Sequence, residues 1–186
     1  MKKSIIFILI ILFFSPVLLS KEFAGVKVPD SITAGKTKLV LNGAGTRTKF
    51  FMKMYVGALY LAEYSSSPDK IIEADKPMAI SLYITSSLIT SERMEEATRE
   101  GFHNSTGGNT APIADAIEKF ISVFKEKISE NDVYELVYLP GQGVEVLKNS
   151  SLKVTIKGLE FKKALFGIWL CDKPAQKSLK KEMLGK

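Results

Sequence analysis

The sequence predicts an α+β domain in which an antiparallel or mixed sheet packs against helices gathered together. Short apolar and alternating segments cluster in two groups, residues 26–85 and 133–156, and read as strands. Two helix patterns stand between the groups and a third follows them, giving the order β-β-β, α-α, β-β-β, α. Pro140-Gly141-Gln142-Gly143 reads as a hairpin loop between two of these strands. Packing of a sheet against amphipathic helices is also where an apolar pocket can open.

From the N-terminus, Lys2 and Lys3, the apolar run Ile5–Phe14, Pro16 and the small Ser20 form a secretory signal. Residues 1–20 are therefore expected to be a signal peptide and 21–186 a single domain, periplasmic or secreted. Leu18 stands where a second small residue is usual, so an uncleaved membrane anchor is the alternative. No cysteine lies near the cut to carry a lipid.

Val26–Val28 and Lys38–Leu41 read as short strands around Pro29-Asp30-Ser31. Asn42–Gly45 reads as a tight turn that uses glycine for positive φ. Gly43-Ala44-Gly45 lacks the third glycine and the following helix of a phosphate-binding loop. Lys49–Ala62, rich in aromatic and apolar residues, reads as one long covered strand. A period of two then puts Arg47, Phe51, Lys53, Tyr55 and Leu59 on one face and Phe50, Met52, Met54, Val56 and Tyr60 on the other. A cation and a phenol among apolar side chains suit an acidic apolar ligand, since guanidinium grips a carboxylate with two hydrogen bonds. The alternative is an arginine at a strand mouth pointing into water.

Ser65–Asp69 is a loop, Lys70–Ala74 a helical turn, and Met78–Thr85 an alternating strand with Ile80, Leu82 and Ile84 on one face. The helix at Thr90–Phe102 has a polar cap, acidic early turns and a thin inner line of Met94, Ala97, Thr98 and Gly101, so it is expected to border a gap. The next, with Pro112 in its first turn, repeats Ile113, Ile117, Phe120, Ile121, Phe124 and Ile128 and is expected to lie across the sheet. Val133–Leu139, Val144–Leu147 and Ser151–Ile156 are strands. Phe161–Leu170 forms a short helix ended by Pro174, and Ala175–Leu184 a last amphipathic turn or two. Its lysines, Lys177, Lys180 and Lys181, form a solvated face or touch an anionic membrane.

Composition excludes several functions. The formal charge of +6 falls to +4 without Lys2 and Lys3, and this excess does not call for nucleic acid. Cys171 is the sole cysteine and His103 the sole histidine, so an internal disulfide is impossible and a cysteine–histidine zinc site lacks ligands. A Ser-His-Asp triad would have to use His103, and no nucleophile elbow is present.

Gly43-Ala44-Gly45-Thr46-Arg47, Tyr55-Val56-Gly57-Ala58-Leu59-Tyr60-Leu61, Ala116–Ile121 and the closing Phe166–Leu170 to Gly185 together resemble a bacterial member of the chalcone isomerase-like superfamily. The resemblance spans the whole mature chain. It implies an open-faced β-sandwich, a large antiparallel sheet with a layer of helices against it and a ligand cleft between. Enzymes of that family close a flavonoid ring without metal or organic cofactor, using an arginine, a strand threonine, a helix tyrosine and asparagine, and a late hydroxyl. Other members bind fatty acids through the arginine and a tyrosine. Laid on this sequence, the arginine falls on Arg47, the threonine on Tyr55, the tyrosine on Met94, the asparagine on Gly101 and the late hydroxyl near Phe161. Of the enzyme set only Arg47 survives. Methionine and glycine can neither bind a phenol nor polarise a carbonyl, and Met94 offers an alkyl chain a flexible apolar wall.

The resemblance thus implies an exported, non-catalytic binding protein. Arg47, Tyr55 and Met94 would be its ligand-binding residues, with no catalytic residue, metal or cofactor. Its partner would be a small apolar carboxylate such as a fatty acid, not nucleic acid. A monomer with no stable membrane span after signal cleavage is expected. The alternatives are a cofactor-independent isomerase or lyase on another substrate, and a structural or interaction protein.

Overall fold

The computed structural model describes residues 20–186. The expected signal peptide lies outside them except for Ser20, which pairs with Pro29 in the first hairpin. In chain order the elements are β1 (Ser20–Phe23), β2 (Val26–Pro29), β3 (Ser31–Ala34), β4 (Thr37–Lys49), β5 (Met52–Leu61), α1 (Pro68–Glu73) and β6 (Met78–Ile84). There follow α2 (Ser91–Ser105), α3 (Ala114–Ile121), β7 (Val133–Leu139), β8 (Gly143–Lys148), β9 (Ser151–Ile156), α4 (Leu159–Leu170) and α5 (Lys177–Met183). Strands β3 to β9 form one seven-stranded antiparallel sheet in sequence order, and β1 and β2 pair separately.

Alternation along the strands builds two cores. Leu59, Ile80, Leu82, Ile84, Leu136 and Val146 pack against the helices. Val56, Ala58, Tyr60, Ala79 and Val137 form the other face, which the β1–β2 hairpin covers in part through Phe23, Val26 and Val28. The Tyr60 hydroxyl donates to the Pro29 carbonyl at 3.0 Å and ties that hairpin down. The predicted antiparallel sheet with helices on one face is therefore the observed architecture.

The region around Arg47 differs from expectation. Asn42–Gly45 is not a turn but the middle of the thirteen-residue β4. Its glycines are needed for close approach, because a Cβ on Gly43 would run into the backbone carbonyl of Glu182 in α5. Nor is Lys49–Ala62 one strand. The chain reverses at Phe50-Phe51, where both residues have positive φ (+50° and +63°). Asn-Gly is the relaxed choice for such a two-residue hairpin, and L-residues held there cost about 1–2 kcal/mol each. Arg47 thus stands directly across the ladder from Tyr55, not eight residues along the same strand. A bulge then follows: Arg47 pairs with Tyr55 but Thr48 with Lys53, leaving Met54 over.

The expected Ile113–Ile128 helix is also shorter. Pro112 sits in a 3₁₀ turn, Ala111–Ile113, and a second 3₁₀ turn, Ser122–Lys125, follows α3. At that change the Ser122 hydroxyl donates to the Lys119 carbonyl at 2.7 Å, competing with the helical pattern. The helix packs against β9 and α2.

Candidate functional site

The gap expected beside α2 is real. Thr90 caps the helix by accepting from the Arg93 amide at 3.3 Å. Farther along, a Cβ on Gly101 would lie 2.8 Å from Cγ2 of Ile168, so glycine lets α2 press against α4 there. The small Ala97 and Thr98 on the same face then leave space unfilled between helix and sheet. An inner chamber of about 90 Å³ results, lined by Arg47, Tyr55, Met94, Thr98, Gly101 and Trp169 among others. Phe120 and Phe124, edge-on with ring centroids 5.2 Å apart, help to wall it. An outer cleft of about 300 Å³ continues from it toward the β4–β5 hairpin and shares Arg47, Tyr55, Met94 and Ala97.

The structure brings the three sequence-predicted ligand residues, Arg47, Tyr55 and Met94, to the junction of these two spaces. Gly101 lines the inner chamber, whereas Phe161 lies buried in the helix-side core and outside that lining. Met52 and Met54, expected on the face away from Arg47, line the outer cleft with it. The hairpin and the bulge each interrupt the period of two, and together they move the methionines to the cleft side.

Each polar side chain at the junction is held by a neighbour that sequence reasoning missed. Trp169 of α4 donates its indole N–H to the Tyr55 oxygen at 3.0 Å. That bond occupies the phenol as acceptor and leaves its own O–H to donate. Burial pushes the Tyr55 pKa up, against the opposing effects of the Trp169 bond and the Arg47 charge, so the phenol keeps its proton at neutral pH.

Gln176, at the N-cap position of α5, accepts from Arg47 Nη1 at 3.0 Å and from the Thr48 amide at 2.9 Å. Its own Nε2 donates to the Thr46 carbonyl at 3.1 Å. Arg47 Nη1 also donates to the Thr48 carbonyl at 3.0 Å. Among the described residues no carboxylate pairs with Arg47, and its guanidinium acts on the Tyr55 oxygen through both charge and hydrogen bonding. A guanidinium has five N–H donors, and those left over form the edge that grips a carboxylate.

Helix α5 reaches this position because β4 is flat at Gly43 and Gly45. The Glu182 carboxylate lies over Gly45 and accepts from the Thr46 amide at 3.1 Å. No local signal in the sequence marks Gln176, because the β4 groups it holds are 128 to 130 residues away. Trp169 carries a weak signal as the one tryptophan, set in a buried helix. The walls are mostly apolar, with Glu100 at the inner chamber and Glu96 at the outer cleft, both exposed.

A solved structure, that of a fatty-acid binding protein from Arabidopsis thaliana, aligns over 86% of this chain and 92% of its own, with a TM-score of 0.68 and 19% identity. At that identity the likeness establishes the fold. No curated protein sequence matches this chain. The model of the family described as chalcone isomerase-like matches residues 20–185, and the chain therefore belongs to the chalcone isomerase-like family.

Proposed function

We propose that the protein is an exported, non-catalytic binder of a small apolar carboxylate such as a fatty acid. The observation that carries this reading is Arg47, without a carboxylate partner among the described residues, beside the protonated Tyr55 in the lining of an apolar chamber. Arg47 supplies charge and two parallel donors, and the Tyr55 O–H adds a third. Met94, Met54 and the phenylalanines receive the tail. The two spaces together fall near the lower end of the ~300–1,000 Å³ usual for ligand pockets, which favours a short or medium chain.

Binding is favoured over proton-transfer catalysis because burial moves the Tyr55 phenol away from neutrality, so it donates a hydrogen bond and does not act as a base. The Arabidopsis neighbour, a fatty-acid binding protein, supports the same reading. Export rests on the Lys2-Lys3, Ile5–Phe14 and Ser20 pattern.

Calorimetric titration with decanoate and with decanol tests the proposal, since the two share a tail and differ in the head. Decanoate should bind roughly tenfold more tightly or better, as expected for charge-assisted bonds. Equal affinity for the two, or no binding of either, would overturn it.

A further inference from the structure

The β4–β5 hairpin has a feature that neither folding nor the cleft explains. Its two turn residues are phenylalanines in left-handed backbone, and they are 77% and 102% exposed at Phe50 and Phe51. A turn of this kind is relaxed with Asn-Gly, so the fold gains nothing from aromatic rings at these corners. Met52 follows at 44% exposure, and Leu88, at 37%, lies across the mouth of the same cleft. Cations flank this apolar tip. Lys49 and Lys53 stand beside it on the two strands, both exposed, and Lys49 Nζ lies 5.8 Å from the Phe50 ring centroid. Arg93 lines the opposite wall, and Glu96 is the one acid in the outer cleft's lining.

The geometry points to the β4–β5 hairpin tip as an element that inserts into an anionic phospholipid bilayer, setting the mouth of the cleft against the lipid. A convex wedge of two aromatics with lysines at its shoulders matches an interface with an apolar interior and a negatively charged surface. The rings enter the acyl boundary while the lysine stems extend back toward the phosphates. A protein partner is a poorer fit, because lysine is depleted from the buried core of protein interfaces. Outer cleft and tip are continuous through Lys49, Phe50 and Met52, so an apolar molecule could pass between bilayer and chamber without crossing water. The docking itself does not depend on which ligand the chamber holds.

Phe51→Trp tests the proposal on the full chain, with Leu152→Trp as its control. Leu152 is 55% exposed and lies on β9, the far edge strand of the sheet. Vesicles of equal parts phosphatidylcholine and phosphatidylglycerol, with brominated acyl chains, quench only an indole that enters the bilayer. Emission added by Phe51→Trp should shift to the blue and be quenched, and that added by Leu152→Trp should not. High salt, vesicles of phosphatidylcholine alone, and Phe50→Ser added to the Phe51→Trp chain should each weaken quenching at the tip by roughly tenfold or more. Circular dichroism of the serine variant checks that the fold is intact. Equal quenching at both positions would show that insertion is not specific to the hairpin tip, and would overturn the proposal. So would no quenching at either position, or a concentration-dependent dimer that buries the Phe51→Trp indole without lipid. Failure of decanoate binding with tip quenching retained would refute the ligand reading and leave this one standing.

Discussion

Two cations lie beneath the same layer of helices, and their surroundings differ in a way that separates structure from function. Lys162 of α4 is fully buried. Its Nζ donates to the carbonyls of Ile71, Ile72 and Ala74 at 2.9, 2.8 and 2.7 Å, so each of its three protons has an acceptor. These carbonyls belong to the C-terminal end of α1, which needs donors because a helix leaves its last carbonyls unpaired. Arg47 is only partly buried, has two bonds to other oxygens through a single nitrogen and no carboxylate partner among the described residues, and lines a cavity. A satisfied cation holds the fold together, and an unsatisfied one beside an apolar space is available to a ligand.

The largest effect should come from Lys162. Lys162→Met leaves three carbonyls without a donor and should cost about 3–5 kcal/mol in denaturant unfolding, as losses of buried charge partners do. A cost near zero would erase the contrast with Arg47. The pH dependence sharpens it further. Burial lowers the Lys162 pKa from 10.5 to about 8, although Glu73 and Asp75 pull the other way. Between those values the unfolded chain binds more protons than the folded one, so this group makes stability rise with pH across that window. The rise should vanish in Lys162→Met, with the tyrosine titrations common to both proteins subtracted.

Gly43→Ala comes next. It sets a methyl group against the α5 backbone and should cost about 3 kcal/mol, at the upper end for overpacking. Carboxylate affinity should fall too, because α5 carries the Gln176 that orients Arg47. Retained affinity would show that Arg47 does not need its support.

Arg47→Met should do the reverse of Lys162→Met. Decanoate affinity should drop by about 2 kcal/mol, while unfolding stability stays within about 0.5 kcal/mol of wild type. A large loss of stability would make Arg47 a second structural cation. The smallest effect belongs to Tyr55→Phe, about 1 kcal/mol of affinity, measured by the same titration. Because the Tyr55 phenol titrates above its ordinary value, affinity should stay level from neutral pH to pH 9 or so. It should fall on acidification, as the ligand's own carboxylate takes a proton near pH 4–5.

Much of the fold is legible from local pattern. Ile80, Leu82 and Ile84 declare their shared face by alternation, and Pro140–Gly143 declares its hairpin. Thr90 marks the start of α2, and the thin line of Met94, Ala97, Thr98 and Gly101 foretells the gap beside it. Around Arg47 the same rules mislead. Glycine suggests a turn at Asn42–Gly45, where it serves the approach of α5, and nothing suggests one at Phe50-Phe51, where the residues suit a turn poorly. Arg47 and Tyr55 share a face, as period two suggested, but they do so across a ladder and not along a strand.

The sequence by itself therefore determined the strand groups, the helical layer and the gap beside α2, because hydrophobic periodicity and capping act within a few residues. The family resemblance set Arg47 and Tyr55 at a cleft in an antiparallel sheet. Only the tertiary structure decided that Trp169 holds the Tyr55 oxygen, that Gln176 holds one edge of Arg47, and that Met52 and Met54 turn into the cleft. Those outcomes depend on a strained hairpin, a one-residue bulge and a helix docked from the far end of the chain, and no local propensity encodes contacts more than a hundred residues apart.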